Sequence, residues 1–139
     1  MTILIEDLPY DEKDIEEIIT QDNLKASKKL VDIANDLGKR FASENKKQKI
    51  TTTQIRNAYG TMKKLEMEMI NWDVRKLHQL QLLKPRLAYA AGRHKGTGVK
   101  DLKTVISKAI DCVDNQETFI RFCQFFEAIV AYHKGHGGE

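Results

Sequence analysis

The sequence Glu-Thr-Phe-Ile-Arg-Phe-Cys-Gln-Phe-Phe-Glu-Ala-Ile-Val-Ala-Tyr-His at residues 117–133 carries a clear helical pattern. Its large apolar residues recur at spacings of three and four, which places them on one face of a helix. Such a face is stable in water when other elements of the chain cover it. We therefore predict a helix that packs against other helices through one stripe: Phe119, Phe122, Phe126, Ile129 and Val130.

The same spacing recurs upstream, which predicts further helices. Residues 24–45 carry one apolar face and residues 99–113 another, and Asp11 to Ile19 fits a short acidic helix. Thr51 and Gln54 match the capping box that begins a helix. The apolar phase that starts there continues to residue 80, which indicates either one helix of about thirty residues or two helices with a bend. Pro85 ends this pattern and can start the next helix.

Composition supports a helical domain. The chain has 139 residues, 41% of them hydrophobic, with 8 Gly and 2 Pro, too few for the many turns of an all-β fold. We predict an all-α, compact bundle of five to six helices in a single domain, 1–139. Residues 1–20 form an acidic N-terminal arm or short helix, and residues 135–139 form a flexible Gly-rich tail.

The expected location is cytoplasmic, without a membrane partner. No apolar run approaches the roughly 20 residues that span a bilayer, and residues 1–10 lack the pattern of a secretory signal. The two cysteines, Cys112 and Cys123, do not make a disulfide framework.

We expect no catalytic site, metal site or cofactor. Both cysteines lie in amphipathic segments, where an inert buried thiol is usual. His133 and His136 are three residues apart but lie near the Gly-rich terminus, so we interpret them as part of an exposed tail. His78 is interpreted as a surface or boundary residue. Gly96-Thr97-Gly98 is interpreted as a turn and helix start, because no phosphate-binding Lys-Ser or Lys-Thr follows it.

Charge is distributed unevenly although the net charge is only +3. Residues 1–20 hold seven acids and one base, whereas residues 39–95 hold fourteen bases and four acids. No acid occurs between Val74 and Lys100. A long window of one sign indicates a polyanionic or acidic partner.

Two pairs of bases are spaced to share a helix face. Arg56 and Lys63 are seven residues apart, with Asn57 and Gly60 near them, and Arg86 and Arg93 repeat that spacing. Arginine binds phosphate well, and a tyrosine between them, Tyr89, can stack on a base. Taken alone, however, Tyr89 favours packing in the core. The surface thus predicts nucleic-acid binding, with an acidic protein surface as the competitor. The acidic arm of a neighbouring copy could supply that surface.

Several stretches also resemble a known family, the small subunit of the type III-A CRISPR–Cas effector, the Csm complex. The resemblance covers about residues 46–134, and the most specific stretch is Leu83–Arg93. The stretches are Lys-Ile-Thr-Thr-Thr-Gln-Ile-Arg-Asn at 49–57, Lys-Lys-Leu-Glu at 63–66, Leu-Leu-Lys-Pro-Arg-Leu-Ala-Tyr-Ala-Ala-Gly-Arg at 82–93, Phe-Ile-Arg-Phe at 119–122 and Phe-Phe-Glu-Ala-Ile-Val-Ala-Tyr-His-Lys at 125–134.

The resemblance implies a noncatalytic helical protein that stacks in several copies beside the subunits that hold the guide RNA. Its implied partners are guide RNA, target RNA, other Csm subunits and adjacent copies of itself, and cleavage belongs to neighbouring subunits. The alternative is a helical protein–protein adaptor without RNA contact. The predicted RNA-binding residues are Lys49, Arg56, Lys63, Lys84, Arg86, Arg93 and Lys95.

Overall fold

The predicted all-α bundle is confirmed. A computed structural model describes residues 5, 8–45, 48–68, 72–92 and 97–138, and these ranges form seven helices. Leu82 alone separates the fourth helix from the fifth, so these two make one bent unit and the bundle has six. The helices are α1 (Glu12–Thr20), α2 (Leu24–Phe41), α3 (Thr52–Met67), α4 (Arg75–Gln81), α5 (Leu83–Gly92), α6 (Gly98–Asp111) and α7 (Gln116–Gly135).

The core is built around α7. Its predicted stripe is buried apart from Val130, which is half-buried, and Phe125 joins the buried set. Aromatic rings meet along this helix: Phe122 packs edge-on against Phe126, and Tyr59 of α3 packs edge-on against the same ring. These contacts join α3 to α7 and so determine where α3 lies on the bundle.

Helices α2 and α7 approach each other closely at Gly38. A Cβ atom at this position would lie 2.5 Å from Tyr132 Cβ and 2.7 Å from the backbone nitrogen of His133. Both distances are shorter than van der Waals contact, so only glycine fits here without moving a backbone. Gly38 thus allows the two longest helices of the described chain to pack backbone to backbone.

The acidic segment before residue 20 folds as the predicted short helix and is part of the core. Ile15, Ile18 and Ile19 are buried on its inner face. Arg121 of α7 donates a hydrogen bond from Nε to the Ile19 carbonyl at 2.6 Å, which satisfies an otherwise unpaired group at the end of α1. The N-terminal arm is therefore anchored to the bundle from Asp11 onward.

The long apolar pattern after Thr51 is two helices, and the alternative of one continuous helix is wrong. The capping box is confirmed, since Thr51 and Gln54 exchange hydrogen bonds of 2.8 and 3.2 Å. The first helix ends at Met67 and the next begins at Arg75. Pro85 lies third in α5, within the first turn, where its missing N–H leaves no hydrogen bond unmade.

The Gly-rich end makes backbone hydrogen bonds with α7 as far as residue 138. The N–H of Gly138 donates to the His133 carbonyl at 2.8 Å, and the N–H of Gly137 donates to the Lys134 carbonyl at 3.0 Å. Gly137 has φ of 89°. This is the Schellman arrangement that ends many helices, and glycine provides its positive φ. None of the described helices is long and apolar enough to cross a bilayer.

An ion-pair cluster between α1 and α2 makes the stability of the bundle depend on pH. Lys29 Nζ lies 2.6 Å from Asp14 Oδ1 and 3.1 Å from Glu17 Oε2. Burial alone would raise the pKa of Asp14, but the hydrogen bonds from Lys29 and from the Asp11 backbone together lower it. The hydrogen bond to Asp14 raises the pKa of Lys29. The pair therefore stabilises the fold most between the ordinary pKa values of the two groups, about 3.9 and about 10.4.

We predict that Lys29→Met lowers the free energy of unfolding by on the order of 1 kcal/mol near neutral pH. The difference from the unsubstituted chain should shrink as pH falls through the lowered pKa of Asp14, and again as pH rises through the raised pKa of Lys29. Urea unfolding at acidic, neutral and alkaline pH measures this. Lys28→Met, at an exposed position without an ion pair to the described residues, is the control. A Lys29→Met difference that is constant with pH would contradict the prediction.

Two Gly→Ala substitutions in helices should have opposite effects. Gly38→Ala forces apart the backbones of α2 and α7, and we expect it to destabilise the chain by at least about 2 kcal/mol. A Cβ atom added at Gly60 would meet no atom within 4 Å. Gly60→Ala should therefore stabilise α3 by about 0.5–1 kcal/mol through helix propensity alone. Thermal melts of both variants measure this, and equal effects would refute the close approach at Gly38.

Candidate nucleic-acid interface

An open groove lies between α3 and the bent unit of α4 and α5. Its volume is about 550 Å³. Arg56 and Lys64 line it from α3, and Arg86 lines it from α5. Glu68 is the acid among its lining residues. The folded chain thus brings together, in one concave surface, two arginines that are thirty positions apart in sequence.

Arg56 and Arg86 are both exposed, and neither makes an ion pair or hydrogen bond with the described residues. Their guanidinium groups therefore keep their N–H donors for a ligand. Gly60 lies in the same groove, and a Cβ atom there would face open space. A ligand backbone can approach α3 closely at this position.

Polar side chains accompany the arginines along the groove. Asn57 and Thr61 line it from α3, and Gln79 lines it from α4. The amide groups of Asn57 and Gln79 can donate hydrogen bonds to phosphate or sugar oxygens without carrying charge. The Thr61 hydroxyl donates to the Asn57 carbonyl oxygen at 3.3 Å and so remains an acceptor for a sugar hydroxyl. The lining is therefore suited to the backbone of a nucleic acid.

Two of the predicted RNA-binding lysines are already paired. Lys63 Nζ lies 2.7 Å from Glu66 Oε1, and this hydrogen bond raises the pKa of Lys63. Lys84 pairs with Asp111, the last residue of α6. Outside the predicted set, Arg75 pairs with Asp73 at 2.7 Å and lowers the pKa of that carboxyl group. The acid-free window in sequence is therefore partly neutralised by acids from outside it.

Lys64, which sequence reasoning missed, lines the groove in place of Lys63. Both lysines lie about two turns after Arg56, one on each side of the line that runs along the helix from it. The two lysines differ because Lys63 forms an ion pair with Glu66. In the sequence, the spacing of three residues between Lys63 and Glu66 indicates this ion pair.

Of the three remaining predicted RNA-binding residues, the structure describes one. Lys49 is half-buried, in the connection that precedes α3. Arg93 and Lys95 lie outside the described residues. The structure thus brings Arg56 and Arg86 together and places neither Lys63 nor Lys84 among the groove's lining residues.

A smaller cavity of about 300 Å³ adjoins the groove, and the two share Asn57, Thr61, Leu83 and Arg86 among their lining residues. Tyr89 also lines it and is 70% exposed. The expectation that Tyr89 packs in the core is therefore wrong. The apolar stripe of this helix consists of Leu83 and Leu87, and Tyr89 lies two residues past Leu87, on a different side of the helix.

The interpretation of His133 as part of an exposed tail is also wrong. His133 is buried, and its Nε2 lies 2.7 Å from the Ile50 carbonyl oxygen. His136 is exposed and lies 2.7 Å from Asn35 Oδ1 through its Nε2. His78 is exposed, as predicted. Across the part of the chain that the structure describes, no group of three His, Cys, Asp or Glu residues is placed to hold a metal ion.

The cysteines have unreactive surroundings. Cys123 is buried and Cys112 is half-buried, and burial raises the pKa of both thiols. A raised pKa keeps a thiol protonated and weakens it as a nucleophile. Cys123 is buried within α7 as predicted, whereas Cys112 is half-buried and caps the end of α6.

Residues 22–139 match the type III-A Csm2 family. The protein of Enterococcus italicus named CRISPR system Cms protein Csm2 is 31% identical over 93 residues, which cover 61% of this chain and 66% of that protein. The Streptococcus thermophilus protein of the same name is 34% identical over 99 residues, which cover 65% of this chain and 75% of that protein. With a family match over most of its length, the chain belongs to the Csm2 family of type III-A CRISPR systems.

Proposed function

We propose that the chain is a noncatalytic small subunit of the type III-A Csm complex and binds the guide or target RNA backbone through the groove between α3 and α5. Membership of the Csm2 family supports its place as a Csm subunit. The observation that carries the RNA contact is the convergence of Arg56 and Arg86 on one groove, where neither is neutralised by a described residue.

Phosphate recognition fits the chemistry of this groove. Guanidinium groups bind phosphate oxygens through two parallel hydrogen bonds, and exposed arginines keep the donors for both. Such contacts carry no sequence information, and none is needed in a complex where base pairing with a guide selects the target. The groove therefore recognises the backbone, and we assign RNA cleavage to neighbouring subunits.

Several copies along one RNA would compensate for the small number of phosphates that each copy binds. One copy offers Arg56, Arg86 and Lys64 in the groove, with Arg93 and Lys95 following α5 in sequence. So few cationic side chains give weak binding at physiological salt. Once one copy is bound, the next binds at a high effective concentration, so the affinities of stacked copies reinforce one another.

The acidic residues of α1 are the proposed contact with the basic surface of the adjacent copy. Asp14 and Glu17 are engaged by Lys29 within the same chain, whereas Glu12 and Glu16 are exposed. Because Ile15, Ile18 and Ile19 belong to the core, removal of residues 1–20 would unfold the bundle as well as remove its charge. Glu12 and Glu16 are the residues through which a head-to-tail contact can be tested without that damage.

The second candidate, an adaptor that contacts protein alone, draws on exposed apolar side chains at the end of α3 and on both sides of α4. Met67, Val74 and Leu82 are 74%, 61% and 57% exposed. Solvated apolar residues of this size favour a protein neighbour when they lie together. Leu82 also lines the groove, so both candidate functions can belong to one subunit, and substitution of the groove arginines separates them.

Arg56→Gln with Arg86→Gln should weaken binding of single-stranded RNA by more than tenfold at low salt. It should also reduce the slope of log affinity against log salt by about 0.7 for each RNA phosphate that the variant no longer neutralises. Fluorescence anisotropy across a salt series measures both quantities. Since both side chains are exposed, the thermal melting curve should not change.

Lys28→Gln with Lys134→Gln is the matched control, because it removes two exposed positive charges from α2 and α7, outside the groove. Equal decreases in affinity in the two double variants would show that net charge, and not the groove, determines RNA binding. Affinity that does not change with salt would exclude phosphate contact as the main interaction. RNA recovered shortened after incubation would contradict the noncatalytic proposal.

Glu12→Gln with Glu16→Gln should weaken self-association of the chain, and the decrease should resemble that caused by high salt in the unsubstituted chain. Sedimentation velocity over a concentration series measures it. Glu117→Gln with Glu127→Gln removes the same charge from exposed positions of α7 and should have a smaller effect. Unchanged self-association in the α1 variant would exclude the head-to-tail contact through these acids.

A further inference from the structure

The smaller cavity that adjoins the groove has a more apolar lining than the groove itself. Five buried apolar residues line it: Ile50, Leu83, Leu87, Val99 and Leu102. They come from α5, α6 and the segment before α3. Its volume of about 300 Å³ is at the lower end of the range for small-molecule sites. A planar ring fits such a space, whereas a folded segment of a partner does not.

Two amide side chains, those of Gln54 and Asn57, also line this cavity beside its apolar residues. Asn57 makes no side-chain hydrogen bond with the described residues. Gln54 uses its Oε1 to accept from the Thr51 N–H, while its NH₂ group makes no hydrogen bond with those residues. Amides carry both donors and acceptors, which are the groups that pair with the edges of nucleobases. An aliphatic side chain of a protein partner would leave these groups unsatisfied.

Arg86 connects the cavity to the groove, since it lines both. A nucleotide whose phosphate contacts Arg86 therefore has its base within reach of the cavity. Tyr89 adds a largely exposed aromatic ring to the same cavity. Base stacking on tyrosine tolerates any sequence, because every base has a π-face.

We propose that the cavity lined by Asn57, Leu83, Arg86 and Tyr89 takes one unpaired nucleobase of the RNA whose backbone lies in the cationic groove. This inference rests on the proposed function and adds to it a base-binding site. It assigns Arg86 to phosphate, Asn57 and Gln54 to the base edge, and Tyr89 to the base face.

The test compares two probes with the same number of phosphates. One is oligouridylate of about 30 nucleotides, and the other is an abasic ribose-phosphate chain of the same length. Uridine runs stack little on themselves, so the two probes differ mainly in whether bases are present. The full-length chain should bind oligouridylate at least about fivefold more tightly, which is the lower end of what one stacked base contributes.

Variants test whether the difference in affinity between the two probes arises from the cavity. Tyr89→Ala should weaken binding of oligouridylate and leave the abasic probe unchanged, while Tyr89→Phe should retain the preference. Ala58→Met fills the cavity without altering charge or Tyr89, and it should also remove the preference. Arg86→Gln should weaken both probes equally. Leu24→Ala removes a side chain that is equally exposed but lies on α2, and it should change neither.

Equal, salt-dependent binding of the two probes would overturn the base site and leave the proposed backbone contact standing. Failure of both probes to bind at low salt would overturn the two together. A third outcome is that the two probes bind equally and that Tyr89→Ala no longer co-purifies with other Csm subunits. This outcome would also overturn the base site, and it would assign the cavity to a side chain of a protein partner.

Discussion

The rest of the structure depends on the backbone contact between α2 and α7 at Gly38. This contact brings the end of α7 over the end of α2, where the His133 ring reaches the Ile50 carbonyl and the Ile50 N–H donates to the Phe41 carbonyl at 2.9 Å. Ile50 is thus bonded to both helices. Gly98 at the start of α6 packs on the segment 48–50, since a Cβ atom there would lie 2.5 Å from the Gln48 carbonyl oxygen. Because α3 begins immediately after this segment, the position of the groove follows from a glycine on α2.

Much of the helical fold could be predicted from sequence, because its signals are local. Apolar residues at spacings of three and four identified the buried faces of α1, α2, α6 and α7, and Thr51 with Gln54 identified the start of α3. The separation of α3 from α4 was left open because the apolar phase continues across it. The burial of His133 could not be inferred, because its partner carbonyl lies eighty-three positions away in sequence.

The candidate site was less predictable than the fold for the same reason. A run of basic residues in the sequence shows where cationic side chains are abundant. Whether such a side chain is free to bind a ligand depends on acidic residues that the fold brings from distant segments. Lys84 is neutralised by Asp111, a residue well outside the acid-free window. Arg56 and Arg86 are not neutralised in this way, because they lie on exposed parts of helices that face each other across the groove. The sequence identified both arginines as candidates, but the reason to prefer them over the lysines is tertiary.

Internal pairing of so many charges has a consequence for how RNA would be held. A protein that binds nucleic acid alone gains affinity from every unpaired cation, but it then also binds any polyanion. Here Lys29, Lys63, Arg75 and Lys84 contribute to ion pairs within the fold. Exposed lysines such as Lys28 and Lys134 remain elsewhere, but the groove gathers Arg56, Lys64 and Arg86 beside an apolar cavity. Under the proposed function, such a groove would bind weakly as one copy, and repetition of copies along one RNA would supply the affinity that each copy lacks.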